Sequence, residues 1–308
     1  MFINVLWLLL SLLFLGIIMT EFKGIVQVGY DHLQQAIHTV EDIFVEKGEG
    51  REGVSFDKKV AEFEEKIKAG TMEKRDWKCR YNTGSPRIIN PDWENPNGRS
   101  YLVVSIGPTS WQEWREDYNR LEQDAERLQQ HGLNEHDDLG FYLSQGLGAT
   151  VLTLTREGDV VVGIRSSDSY DGAIHGAAGW MEFHKDVNQI SSRKDALREL
   201  AEELGVANSS VDRLDLIGLV AYPKTLEADF VYVAKTVVER DYFTSDAWKK
   251  AVDAREHRDL VILSNPDEIG RLLEEGRVQG SDLKRYGVLA STYYGLDVMM
   301  KNWGRFHR

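Results

Sequence analysis

The chain has 308 residues, 42% of them apolar, and its 37 Lys and Arg against 50 Asp and Glu give a formal charge of −13. That balance argues against nucleic acid as a partner, because a phosphate backbone needs a basic surface and no basic run here is long enough to supply one. The single cysteine, Cys79, cannot form an internal disulfide; lying between Lys78 and Arg80 without the setting of a nucleophile, it reads as structural or incidental.

Residues 1–20 carry no charged side chain. They are long enough to cross a hydrocarbon core of about 30 Å as one helix. No basic stretch precedes the apolar run and no Ala-x-Ala type of site follows it, so an uncleaved transmembrane anchor is expected rather than a signal peptide. The alternative is that translation starts at Met19, which leaves a soluble enzyme. Lys23 is the one basic residue on either flank, a weak lean towards a cytosolic body on a single-pass membrane protein.

Residues 21–147 read as a mainly helical extension. One helix is expected over 31–47, with Leu33, Ile37, Val40 and Phe44 on one side, and another over 55–69, with Val60, Phe63 and Ile67. Gly48-Glu-Gly50 separates them. Between 81 and 100 the composition shifts to Asn, Pro, Gly and Arg, which marks an irregular crossing segment and a domain junction. Residues 101–106 form a short buried strand by their β-branched run. A helix over 109–130, capped by Thr109 or Ser110, carries Trp111, Trp114, Tyr118, Leu121, Ala125 and Leu128 at three-and-four spacing. Such an aromatic stripe is most often core, with stacking on a nucleotide base as the functional alternative. A short helix over 136–146 closes the extension.

The second half, residues 148–308, is richer in strands. Residues 149–155 and 160–164 form a hairpin through Arg156-Glu-Gly-Asp159, and further strands are expected at 214–221, 230–235 and 258–264. Helices are expected at 244–255, 266–276 and 281–300.

Within this half stands Arg198-Glu-Leu-Ala-Glu-Glu-Leu-Gly-Val206. At about 100° per residue, Glu199, Glu202 and Glu203 share one helix face, while Leu197, Leu200, Ala201 and Leu204 share the opposite one. Gly205 sits where a left-handed cap ends the helix. Three crowded carboxylates repel one another, and a cation bound between them explains the arrangement.

This stretch resembles the core of the Nudix hydrolase signature, Arg-Glu-apolar-x-Glu-Glu-x-Gly-apolar, and every specified position matches. The resemblance implies an α/β fold: a Nudix-like α/β/α sandwich with a mixed sheet over 148–308, preceded by the helical extension and the anchor. It also implies an enzyme that attacks one phosphorus of a nucleoside diphosphate linked to another moiety. Glu202 and Glu203 would ligate Mg²⁺, with Mn²⁺ as the alternative; Glu199 would be a third ligand or the base, and Arg198 would hold the loop or a carboxylate in place. The upstream half departs from the pattern. The family's Gly stands fourteen positions before the Arg; here the best candidate, Gly179, stands nineteen before Arg198, and six after it is Lys185 rather than Glu. Glu182 or Asp186 is the expected substitute.

Further candidates carry less. Glu227, just before a strand, is either an extra carboxylate of the site or a solvated turn residue; Arg165, at a strand end, meets a phosphate or a surface salt-bridge partner. His175 and His184 flank the loop without metal-ligand spacing and read as loop polar residues. The competing class is a catalytically quiet Nudix-fold module that binds a nucleotide or a protein.

Overall fold

The computed structural model describes residues 40–81, 87–89, 100–166, 170–222, 226–275, 277–278, 281–282 and 287–307. The expected anchor over 1–20, the start of the helix expected at 31–47 and most of the expected junction lie outside them. Among the described residues no helix is long and apolar enough to cross a membrane. The chain divides into two compact units: one runs to Gly146 and includes Gly218–Ala228, the other takes Leu147–Ile217 and Asp229–Arg308.

In the first unit the described elements are β1 (Val40–Lys47), α1 (Phe56–Lys68), β2 (Trp77–Tyr81), β3 (Arg87–Ile89), β4 (Ser100–Ser110) and α2 (Trp111–His136). The strands form one sheet in the order β1-β4-β2, with β3 also on β4. The extension is therefore not simply helical. Residues 40–47, expected as helix, are a strand parallel to β4, with Phe44 opposite Val103 and Val45 opposite Val104. The spacing of Val40 and Phe44 suits either period, and pairing with the β-branched run of β4 decides it. α1 forms where expected and buries Phe63, whose ring lies 5.5 Å from that of Trp77.

Ser110 is the α2 cap, its Oγ accepting from the Glu113 N–H at 3.2 Å. The helix stops at Asp137 in the left-handed region, and the short helix expected over 136–146 is absent. Asp138 turns the chain by accepting from the Gly140 N–H, and the buried Arg80 donates to the carbonyls of Gly140 and Leu143, which satisfies this loop without helical bonds. Trp111 and Trp114 stack on each other at 4.6 Å, and Trp114 Nε1–H donates to Glu227 in the same unit. The stripe packs within itself here, and Glu227 is a hydrogen-bonded turn residue.

The second unit is built on a seven-stranded sheet in the order β11-β6-β5-β10-β9, with β7 on β6 and β8 on β5. These strands are β5 (Leu147–Leu154), β6 (Val160–Arg165), β7 (Ile174–His175), β8 (Ala177–Trp180), β9 (Val211–Ala221), β10 (Ala228–Thr236) and β11 (His257–Leu263). The helices are α3 (Ser192–Leu204), α4 (Arg240–Thr244), α5 (Pro266–Glu275), α6 (Ala290–Lys301) and α7 (Trp303–Phe306). All eight residues of β5 are buried, which requires cover on both faces. Ser192 at the start of α3 meets the Tyr232 hydroxyl, while Gly295 of α6 lies against Val231. Adjacent residues of β10 point to opposite faces, so α3 and α6 cover the two sides and the unit is an α/β/α sandwich.

Two expected helices change here. Residues 244–255 give only the end of α4 and two 3-10 turns, at Trp248–Lys250 and Ala254–Glu256, because the chain bends round the end of α3 and the Asp253 N–H donates to the Glu202 carbonyl. The helix expected over 281–300 begins only at Ala290, after Gly287 in the left-handed region.

Candidate active site

α3 carries the signature and is held at both ends. Ser191 Oγ accepts from the Lys194 N–H, and Gly205 closes the helix at φ 68° with its N–H on the Ala201 carbonyl. A Cβ at Gly205 would lie 2.4 Å from the Tyr242 hydroxyl, which itself donates to the Leu204 carbonyl. Both the backbone conformation and the space demand glycine. Ala196, Leu200 and Leu204 are buried, as the apolar face requires.

The acidic face is not left to solvent. Glu199 and Glu203 are both buried, Glu203 at 1% exposure, while the Glu202 side chain is 36% exposed. The cover is β8. A Cβ at Gly179 would lie 2.0 Å from Glu199 Oε1, so any larger residue would displace that carboxylate from its present position, and the Ala178 N–H donates to Glu203 Oε1 at 3.3 Å. Gly179 is thus brought to the helix despite its longer spacing.

Arg198 joins the carboxylates: its Nη2 lies 2.7 Å from Glu199 Oε1, Nη1 donates to Glu202 Oε2 at 2.7 Å, and Nη2 donates to Asp195 Oδ1 at 3.1 Å and to the Trp180 carbonyl at 3.4 Å. Glu203 takes a different partner, His257 Nε2, at 2.7 Å from Oε2. Beyond it, Arg165 lies 3.1 Å from His175 Nδ1 and donates to Glu256 at 3.3 Å. Arg165 is therefore a half-buried ion-pair partner, and His175 a buried core residue of β7 rather than a loop polar group. His184 is half-buried beside the loop. Asp186 is exposed and caps the turn at Val187–Gln189. Glu182 is placed by its N–H on Asp195.

Asp195, Glu256 and His257 are the participants that sequence reasoning missed. Asp195 had a signal, its spacing three before Arg198 on one helix. His257 had none, since it arrives from β11, 54 positions from Glu203.

The electrostatics follow from burial. Loss of water, with the neighbouring charges of Glu203 and Glu202, pushes Glu199 up to about 8 despite Arg198 beside it. Burial, with Glu256 nearby, raises Glu203 well above the carboxylate range, and burial raises Asp195 also. Burial, with Arg165 beside them, takes His175 well below its ordinary value and His257 down to about 4 despite Glu256, so both rings are neutral. A raised carboxylate pKa means that the folded state holds a proton which the unfolded chain releases near 4.5. The stability Glu199 contributes is therefore present in acid and lost as pH rises through about 8. In chelator-treated protein, the wild type is expected to lose more thermal stability than Glu199→Gln between pH 5 and pH 9, by parallel melts. An equal loss in both contradicts this assignment.

As they stand, no three Asp, Glu, His or Cys side chains among the described residues are grouped to hold one ion, and Arg198 and His257 lie against carboxylate oxygens of Glu202 and Glu203. The donor set nevertheless suits a hard divalent cation: Glu199, Glu202 and Glu203 offer oxygen alone, and with Asp195 they make four carboxyl groups, three of them on the single guanidinium of Arg198. Carboxylates perturbed by burial and by one another make this place a functional-site candidate.

Fold and cluster together define an α/β/α sandwich whose central helix carries a buried carboxylate and guanidinium centre. No family model matches the chain, and no curated protein matches it. Solved structures similar to it include a MutT Nudix hydrolase from Burkholderia pseudomallei, 17% identical over 49% of this chain and 95% of that one, with a TM-score of 0.33. A MutT/nudix family protein from Enterococcus faecalis is 15% identical over 62% and 73%, with a TM-score of 0.33. The Nudix domain of Shewanella oneidensis NrtR, solved with ADP ribose, is 16% identical over 44% and 81%, with a TM-score of 0.29. At such scores and identities these likenesses do not place the chain in a family.

Proposed function

We propose that the second unit is a Nudix-type pyrophosphohydrolase that cleaves a nucleoside diphosphate linked to another moiety, with Mg²⁺ as its cation. The observation that carries this reading is the gathering of Glu199, Glu202 and Glu203 with Arg198 against the glycine of β8, in the signature's own spacing. A divalent cation on these three carboxylates would neutralise pyrophosphate oxygens and lower the pKa of an attacking water. The chain's own contributions are separable. Glu203, held by a main-chain N–H and by His257, presents a fixed carboxylate. Glu199, held by Arg198 and set against Gly179, is the third ligand or the base that takes the proton of the attacking water. Arg198 tethers Glu202 and Glu199 to the Trp180 carbonyl and so to the loop.

The Arg198 bonds to Glu199 and Glu202 also favour the second reading, a catalytically quiet module in which the guanidinium serves as the permanent counterion. Turnover separates the two. A panel of nucleotide sugars, dinucleotides, coenzyme A esters and oxidised nucleotides, incubated with Mg²⁺ and assayed for phosphate or nucleotide release, yields product in the first case and none in the second.

The uncharged run over residues 1–20 is proposed as a membrane anchor that leaves the body on the cytosolic side. The full-length chain is expected to stay with membranes through carbonate extraction, and deletion of residues 1–18 to release it. Recovery of the full-length protein in the soluble fraction contradicts the anchor.

A further inference from the structure

Glu203 is the deepest of the three carboxylates, and it is the one that Arg198 does not touch among the described bonds. Its Oε1 accepts from the Ala178 N–H and its Oε2 faces His257 Nε2 at 2.7 Å, with the His257 side chain fully buried. An ionised carboxylate has about four acceptor sites. Two are used here, so both oxygens keep capacity for a further ligand.

The imidazole is fixed by what lies on its other side. Nδ1 has no hydrogen-bond partner, and a Cβ at Gly163 would lie 2.0 Å from it and 2.4 Å from Cε1. The ring thus occupies the space a side chain would need at Gly163 on β6, whose neighbour in register on β11 is Leu260. A proton on Nδ1 would leave a buried N–H without an acceptor. The ring proton belongs on Nε2, where it meets Glu203.

We propose that His257 is the positioning residue for Glu203: through Nε2–H it holds that carboxylate in one rotamer for cation binding, and Gly163 exists to make room for the ring. This rests on the reading of the α3 carboxylates as a divalent-cation site. His257 itself touches neither cation nor substrate. Its work is to remove the rotational freedom of a glutamate that would otherwise have to be ordered when the ion binds, and to donate to the ionised form that a bound cation would require.

The test is Mn²⁺ affinity of the full-length chain by electron paramagnetic resonance, paired with melts in chelator. His257→Gln places an amide N–H at the reach of Nε2 and should keep near wild-type affinity. His257→Asn, one methylene shorter, should weaken Mn²⁺ by at least about tenfold, the usual effect of losing a hydrogen-bond partner of a metal ligand. Gly163→Ala should do the same by displacing the ring. The metal-free melting temperatures of the Gln and Asn variants should agree, which a merely structural role for the ring would not separate from their affinities. Equal Mn²⁺ affinity in His257→Gln and His257→Asn overturns the inference while leaving the cation reading intact. A wild type that binds no Mn²⁺ overturns the cation reading, and this inference with it.

Discussion

Glu203→Gln is expected to lower turnover by at least about a hundredfold, roughly 2.7 kcal/mol of transition-state stabilisation. The amide keeps the size and shape of the side chain and still offers one oxygen to the Ala178 N–H, but it removes the charge aimed at the cation. Glu202→Gln should act in the same direction, although Glu202 is the more exposed residue. The fold should survive both. Glu203 is buried with its pKa raised by that burial and by Glu256, so neutralising it relieves an unfavourable charge, but an amide that keeps its oxygen on the Ala178 N–H turns its NH2 towards His257 Nε2; the two effects oppose and the metal-free melting temperature should shift only modestly. The stabilisation gained on adding Mg²⁺ should shrink. Wild-type turnover in both variants, on a substrate the wild type cleaves, would mean that α3 is not the catalytic metal helix.

Leu200→Ala should produce the reverse pattern. Leu200 is fully buried, on the apolar side of the helix whose other side carries the carboxylates. Its truncation removes buried methyl groups and leaves a cavity, at a cost of about 2 to 5 kcal/mol. For a unit of this size that lowers the melting temperature by on the order of 10 °C. Turnover per folded molecule should be near wild type, since no bond to Glu199, Glu202, Glu203 or Arg198 involves this side chain. Thermal melts and active-site titration together check this. A large loss of turnover in fully folded Leu200→Ala would show that packing and chemistry are coupled through α3.

The central helix was legible in the sequence because its signals are local. The spacing of its carboxylates, the apolar stripe and the glycine stop all lie within a few turns, and they fix α3 to within a residue or two at its end. β5, β6, β9, β10 and β11 were legible for the same reason, through apolar and β-branched runs. What failed depended on distant partners. β1 has a pattern that fits a helix, and only its pairing with β4, some 60 positions later, makes it a strand. Residues 244–255 have a helical composition, yet the Asp253 N–H is taken by the Glu202 carbonyl and the segment bends into short turns.

The candidate site divides in the same way. Glu199, Glu202, Glu203 and Arg198 could be named from spacing, but not the burial of Glu199 and Glu203, which β8 provides. The match of Gly179 to the helix also survives a longer connection, because what matters is the missing Cβ opposite Glu199 and not the count of residues between them. His257 and Glu256 enter from β11 and the turn before it, and no helical or strand period in the sequence links them to α3.

The most direct measurement of the central claim is cation-dependent turnover by the full-length chain on a panel of nucleoside diphosphates linked to sugars, nucleosides, pantetheine or further phosphate. The account predicts that at least one member is cleaved at its pyrophosphate with Mg²⁺ or Mn²⁺ present, that a chelator abolishes the reaction, and that Glu203→Gln suppresses it about a hundredfold or more. Cleavage that persists in the chelator, or no cleavage of any member with either cation, would contradict it.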